Sequence, residues 1–157
     1  MNEVSRIAYV NGRYVPMAGA SVHVEDRGFQ FADGVYEVCA VRAGHLIDED
    51  PHLARLERSL GELKMRAPLG TPALRHIMRE TARRNRVTDG LVYVQISRGQ
   101  APRDHGFPPG GTKPTLVVTA RNLAVEKYDR WAEKGVGVVS LAETRWARCD
   151  IKSTAVL

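Results

Sequence analysis

An α+β fold is predicted by three features of the sequence. A pair of short β-rich runs brackets an Asn11-Gly12 turn near the start of the chain. Two stretches in its middle carry leucines and other apolar residues at spacings of three and four, the mark of amphipathic helices. Beyond them lie two further β-branched runs, 91–96 and 115–119.

Taken in order, Ile7-Ala8-Tyr9-Val10 and Arg13-Tyr14-Val15 form a hairpin. The Asn-Gly pair between them accepts the positive φ values of a two-residue turn. Val22 and Val24 alternate with polar residues and predict another short strand. Residues 35–41 are β-rich, Ala43-Gly44 turns the chain, and His45-Leu46-Ile47 pairs back. Asp50-Pro51 predicts a helix start, with Asp as N-cap and Pro at the first helical position. Leu53, Leu56, Leu60 and Leu63 mark its buried face, and Pro68 ends it. Thr71-Pro72 opens a second helix with Leu74, Ile77, Met78 and Ala82 as its stripe, closed by Asp89-Gly90.

Between the last two strands runs a long irregular loop, 98–114, with Pro102, Pro108-Pro109 and Gly110-Gly111. A loop of this kind in a compact domain is more often functional than idle. Residues 122–133 form a polar connector of modest helical character, and the Gly-bounded run 135–141 predicts a buried strand. The expected organisation is a unit over 1–120, a linker over 121–134 and the start of a second unit over 135–157.

Composition excludes several classes. At 43% hydrophobic and 26% charged, the 157 residues can bury a core and are not disordered. The net charge of +5 is spread among acids, and Arg83-Arg84-Asn85-Arg86 falls at a helix C-terminus, where cations complement the dipole. Nucleic acid is therefore not an expected partner, and no apolar run is long enough to expect a membrane span. Cys39 and Cys149 lack disulfide or zinc spacing, the five histidines show no metal spacing, and a reducing cytoplasm is the expected location.

Two stretches stand out chemically. Apolar Trp146 and Ile151 straddle charges in the segment 145–154, so part of it should pack and hold Lys152 beyond a strand, as a nucleophilic amine requires. Residues 26–38 combine Gly28 and Gly34 with Phe29 and Phe31, and by composition read as a turn feeding a strand. Strand alternation puts Tyr36 and Glu37 on opposite sheet faces, which suits Glu37 to a structural role.

The segment Arg145-Trp146-Ala147-Arg148-Cys149-Asp150-Ile151-Lys152-Ser153 resembles the motif around the Schiff-base lysine of the class IV pyridoxal-phosphate aminotransferases, closest to the D-amino acid transaminases. The stretch from Asp26 to Glu37 is similar to that family's D-R-G-x-x-F-x-D-G-x-Y-E, and His52-Leu53-Ala54-Arg55-Leu56 to its H-x-x-R-L. The loop Arg98-Gly99-Gln100-Ala101-Pro102-Arg103-Asp104-His105-Gly106-Phe107-Pro108 resembles R-G-x-x-P-R-x-H-x-F-P, which separates D-amino acid transaminases from branched-chain aminotransferases and aminodeoxychorismate lyases.

The resemblance implies the N-terminal domain of a D-amino acid aminotransferase-like fold plus the opening strand of a second, cofactor-binding domain. It implies transamination between D-amino acids and 2-oxo acids by a homodimer carrying pyridoxal 5′-phosphate. Lys152 would form the Schiff base, Arg55 would bind the cofactor phosphate, and Tyr36, Arg103 and His105 would hold the substrate carboxylate. A guanidinium suits a phosphate because it is always charged and forks two donors. Family members are nearly twice this long, so the acid beside the pyridine nitrogen is expected beyond residue 157. The 157-residue chain alone is expected to leave Lys152 in a solvated tail and to be inactive. A branched-chain aminotransferase, an aminodeoxychorismate lyase and a non-catalytic interaction module stay open as alternatives.

Overall fold

The computed structural model describes residues 6–142, 148 and 150–155. Strands β1 (Ile7–Val10) and β2 (Arg13–Pro16) form the expected hairpin. Asn11 and Gly12 take φ values of 46° and 99°, which bring Tyr9 opposite Tyr14. A short helix α1 (Arg27–Phe31) leads into β3 (Gly34–Arg42) and β4 (His45–Leu46). Helices α2 (Glu49–Glu62) and α3 (Thr71–Arg84) follow, then β5 (Gly90–Ser97), β6 (Thr115–Asn122) and α4 (Val125–Lys134).

The six strands make one antiparallel sheet in the order β2-β1-β6-β5-β3-β4. Its period-two alternation sorts the two faces. Val35, Cys39 and Val41 of β3, Val92, Val94 and Ile96 of β5, and Leu116, Val118 and Ala120 of β6 point into one core. There they meet Leu53, Leu56 and Leu60 of α2 and Leu74, Ile77, Met78 and Ala82 of α3. Each such leucine contributes about 1.5–3 kcal/mol by leaving water. The other face carries Tyr36, Val38, Tyr93, Gln95 and Val117, all half-buried. No helix among the described residues is long and apolar enough to cross a membrane.

Several elements differ from the sequence expectation. Val22 and Val24 lie outside any strand and are exposed, because two alternating apolar residues bury too little surface to hold a ladder. The segment read as a turn before β3 contains α1, whose first turn is capped when Asp26 Oδ1 accepts from the Gly28 N–H at 2.9 Å. Helix α2 starts after Asp48 rather than Asp50, so its first turn contains Glu49 and Asp50, where negative charge complements the dipole. Helix α3 closes at Asn85, not at Asp89-Gly90, and Gly90 instead opens β5. An added Cβ at Gly90 would come within 2.1 Å of the Arg121 carbonyl oxygen, which explains glycine at that strand end.

The run 135–141, expected as the opening strand of a second domain, forms no strand. Val136, Val138, Val139 and Leu141 are exposed. A strand exists only through a neighbour that takes its backbone hydrogen bonds, and no described residue pairs with this one. Trp146 and Cys149, singled out in the sequence, lie outside the described residues.

Candidate active site

Lys152 is held by its backbone. Its N–H donates to Ser59 Oγ on α2 at 3.1 Å, and its carbonyl accepts from the Tyr36 N–H at 3.0 Å. Ser153 bridges Val35, and the Thr154 N–H donates to the Gly34 carbonyl at 2.9 Å. Ser59 is fully buried, and Ile151 and Ser153 are buried on either side of the lysine. The tail expected to be solvated is therefore docked along the start of β3, because these residues supply partners for an otherwise unpaired strand edge. Gly34 is required there on its other side, since an added Cβ would come within 2.8 Å of the Ile96 carbonyl oxygen.

The docking aims the side chain at the face of the sheet away from α2 and α3. Lys152 Nζ sits 4.5 Å from the centroid of the Tyr36 ring. That ring stacks on Tyr93 at 5.7 Å between centroids and 29° between planes. Tyr93 donates to Gln95 Oε1 at 2.7 Å, and burial pushes its phenol above the ordinary value, keeping it neutral. Among the described residues no carboxylate pairs with Lys152 Nζ.

On the opposite sheet face, Glu37 is buried to within 1% of complete and points at α2. Arg55 donates to its carboxylate through Nε at 2.5 Å and Nη2 at 2.7 Å. His52 Nδ1 lies 2.8 Å from the second oxygen. These two residues sit one helical turn apart, so one buried acid orients both. Arg55 keeps Nη1 outside this pair, and 43% of its side chain is exposed.

Burial alone would push the Glu37 carboxyl up, but the hydrogen bonds from Arg55 and His52 outweigh it and hold the group below the ordinary glutamate value. The folded state thus binds this proton less readily than the unfolded chain. Its stabilisation is complete above about pH 4.5 and is lost as pH falls through the lower folded value. Glu37→Gln is expected to flatten the acid limb of a melting-temperature profile. An unchanged limb would show that Glu37 does not titrate differently on folding.

The loop 98–114 is fastened to α1. Asp33 accepts from Arg27 Nε at 2.8 Å and from Arg98 through Nε at 2.8 Å and Nη2 at 3.0 Å. Arg98 also donates to the Leu63 carbonyl at 3.0 Å, tying the loop to the end of α2. Here too burial would raise the Asp33 carboxyl, and the hydrogen bonds from Arg98 and Arg27 lower it below its usual range. Gly99 adopts φ +103°, and an added Cβ would come within 2.0 Å of the Lys113 carbonyl oxygen, so only glycine fits where the loop's two ends cross. Arg103 and His105 both lie against Phe31, with the Arg103 guanidinium 5.1 Å and the His105 ring 5.7 Å from its centroid.

The structure therefore brings Lys152 and Tyr36 together and sets Arg55 one turn before Ser59 on the same helix. Arg103 and His105 form a separate group, with no hydrogen bond or ion pair to Tyr36 or Lys152 among the described residues. Sequence reasoning left out the parts played by Ser59, Asp33, Arg27 and Arg98. Asp33 six residues after Arg27 was a local signal for that pair, whereas nothing near Asp33 in the chain points to Arg98.

The model of the amino-transferase class IV family matches residues 34–157. A D-alanine aminotransferase from Bacillus licheniformis is 37% identical over 147 residues, covering 94% of this chain and 51% of that protein. A 4-amino-4-deoxychorismate lyase structure from Pseudomonas aeruginosa superposes with a TM-score of 0.63 at 31% identity, covering 80% of this chain and 43% of the other. A branched-chain amino acid aminotransferase structure from Escherichia coli gives a TM-score of 0.71 at 20% identity, over 76% and 41% of the two chains, a likeness of fold alone. The chain spans about half the length of the curated relatives it matches.

Proposed function

The chain belongs to the class IV aminotransferases, and from that premise we propose that it serves pyridoxal-phosphate-dependent transamination between D-amino acids and 2-oxo acids. The observation that supports this most is the docking of Lys152 on β3, which holds a reactive amine over Tyr36 by backbone bonds that leave its side chain free. Kinship to D-alanine aminotransferases and the Arg103-x-His105 loop favour D-amino acids.

The residues fit the cofactor. Lys152 Nζ has no carboxylate partner among the described residues, and Arg55 offers Nη1 and an exposed flank beyond its pair with Glu37. Lys152 would hold the group covalently and Arg55 would bind its phosphate. When bound, pyridoxal 5′-phosphate supplies an electron-withdrawing ring that accommodates the electron pair left at the substrate Cα. The Lys152 amine would be the base that takes the proton from the substrate Cα and holds it at Nζ for return. Tyr36 donates a hydrogen bond to the substrate carboxylate, and its neighbours Tyr93 and Gln95 keep the ring in place. Arg103 and His105 complete the carboxylate trap, reaching it from the second subunit of a homodimer. In this reading residues 1–120 form the first domain, 121–134 the linker and 135–157 the beginning of the cofactor-binding domain, and the enzyme works in the cytoplasm.

Arg55→Lys is expected to weaken cofactor binding by on the order of 10- to 100-fold, the equivalent of one charge-assisted hydrogen bond. Folding should suffer less, since a lysine still offers Glu37 a cation. Unchanged cofactor affinity in fluorescence titration would remove Arg55 from the site. Arg103→Ala is expected to raise KM for D-alanine by a similar factor and leave the cofactor spectrum intact. His105→Ala should act in the same direction with a smaller effect. Loss of cofactor binding in either variant would show that the loop serves the cofactor instead.

A second reading is favoured by the 31% identity to the 4-amino-4-deoxychorismate lyase structure. Comparing D-alanine with L-leucine, each with 2-oxoglutarate, tests the D-amino acid assignment. Turnover of D-alanine alone supports it, turnover of L-leucine points to a branched-chain enzyme, and turnover of neither favours a lyase.

A further inference from the structure

Helix α1 holds the loop by its backbone on both sides of His105. Arg27 is a buried cation whose guanidinium divides its donors between two tasks. Nε donates to Asp33 Oδ2 at 2.8 Å. Nη1 donates to the Asp104 carbonyl at 2.8 Å and to the Gly106 carbonyl at 3.2 Å, the two that flank His105 in the chain. Its Cζ also lies 4.8 Å from the centroid of Phe31, the ring on which Arg103 and His105 rest. One α1 ring thus carries three cationic or cation-forming side chains, and one α1 arginine holds the backbone on both sides of His105.

We infer that Arg27 and Phe31 are positioning residues for substrate carboxylate capture, fixing Arg103 and His105 in the place where they meet the substrate. The inference rests on the proposed role of Arg103 and His105. Asp33 sets the direction of the Arg27 fork, and Arg98, bonded to the same carboxylate, fixes the root of the loop. A loop with few backbone bonds of its own would otherwise sample many arrangements, and binding substrate would then require ordering it. A planar guanidinium can meet a carboxylate on one edge and two carbonyls on another, which an ammonium cannot. Phe31 adds a flat platform that favours guanidinium and imidazole faces over other contacts.

The test uses the intact enzyme, with Arg27→Lys, Phe31→Leu and Arg103→Ala compared with the parent. Two assays are followed: turnover of D-alanine, which gives KM and kcat, and inhibition by propionate, which carries the carboxylate and lacks the amine. Arg27→Lys and Phe31→Leu are each expected to raise KM and the propionate inhibition constant together, by about tenfold, with kcat little changed and the cofactor absorbance intact. That parallel rise is specific to carboxylate capture, because general loosening would lower kcat and cofactor occupancy as well. If Arg103→Ala raises KM while both other variants leave KM and propionate inhibition unchanged, the positioning inference is wrong and the trap stands. If Arg103→Ala itself changes neither quantity, the loop does not bind the carboxylate and both ideas fall. Should Arg27→Lys fail to fold, Phe31→Leu decides alone, since it keeps an apolar residue on α1 and leaves the Asp33 pairs in place.

Discussion

Lys152→Ala is expected to reduce transamination in the intact protein by about 10⁴-fold, the upper range for losing a positioned acid–base group, and by more where covalent capture is also lost. The fold should barely notice. The structural contacts of Lys152 run through its N–H to Ser59 and its carbonyl to Tyr36, and alanine keeps both. The side chain contributes a contact with the Tyr36 ring, a loss of about 0.5–1 kcal/mol at a half-exposed position. Activity lost together with a large drop in melting temperature would mean that the lysine is part of the scaffold. Activity retained near the parent level would remove it from the chemistry.

Asp33→Ala is expected to produce the largest loss of stability. The carboxylate is 11% exposed and pairs with guanidiniums that are 5% and 13% exposed. Its removal leaves two cations facing each other away from water, and breaking a buried pair in this way costs about 3–5 kcal/mol. For a domain of this size the melting temperature should fall by about 10–15 °C. Asp33→Asn should recover part of the loss, because its amide oxygen still accepts one hydrogen bond. A change below about 1 kcal/mol in denaturant titration would place the network among surface ion pairs instead.

Much of the fold was legible because its signals are local. The positive φ values at Asn11 and Gly12 are what an Asn-Gly turn takes, and the leucine spacing of α2 marks the buried stripe directly. Helix α1 was not legible, since its five residues bury an arginine rather than an apolar face, and its stability comes from the Asp26 cap and from Asp33. The run 135–141 reads as a strand by composition, yet composition does not supply the neighbour a strand needs. In the site, Tyr36 and Glu37 were assigned opposite faces from strand alternation alone. The bond between Asp33 and Arg98 spans 65 residues, and no local pattern announces which arginine an acid will meet at that separation. The docking of Lys152 was missed for a similar reason, because Ser59 lies 93 residues earlier and looks like any other helical serine.

Every role proposed for the site requires that Lys152 hold the cofactor. The direct measurement is borohydride reduction of the intact protein loaded with pyridoxal 5′-phosphate, followed by peptide mass mapping. The chain has four other lysines, Lys64, Lys113, Lys127 and Lys134, which serve as internal controls. A single phosphopyridoxyl group on Lys152, lost in Lys152→Ala, is the result this account predicts. Labelling spread over the other four, or concentrated on one of them, would contradict it.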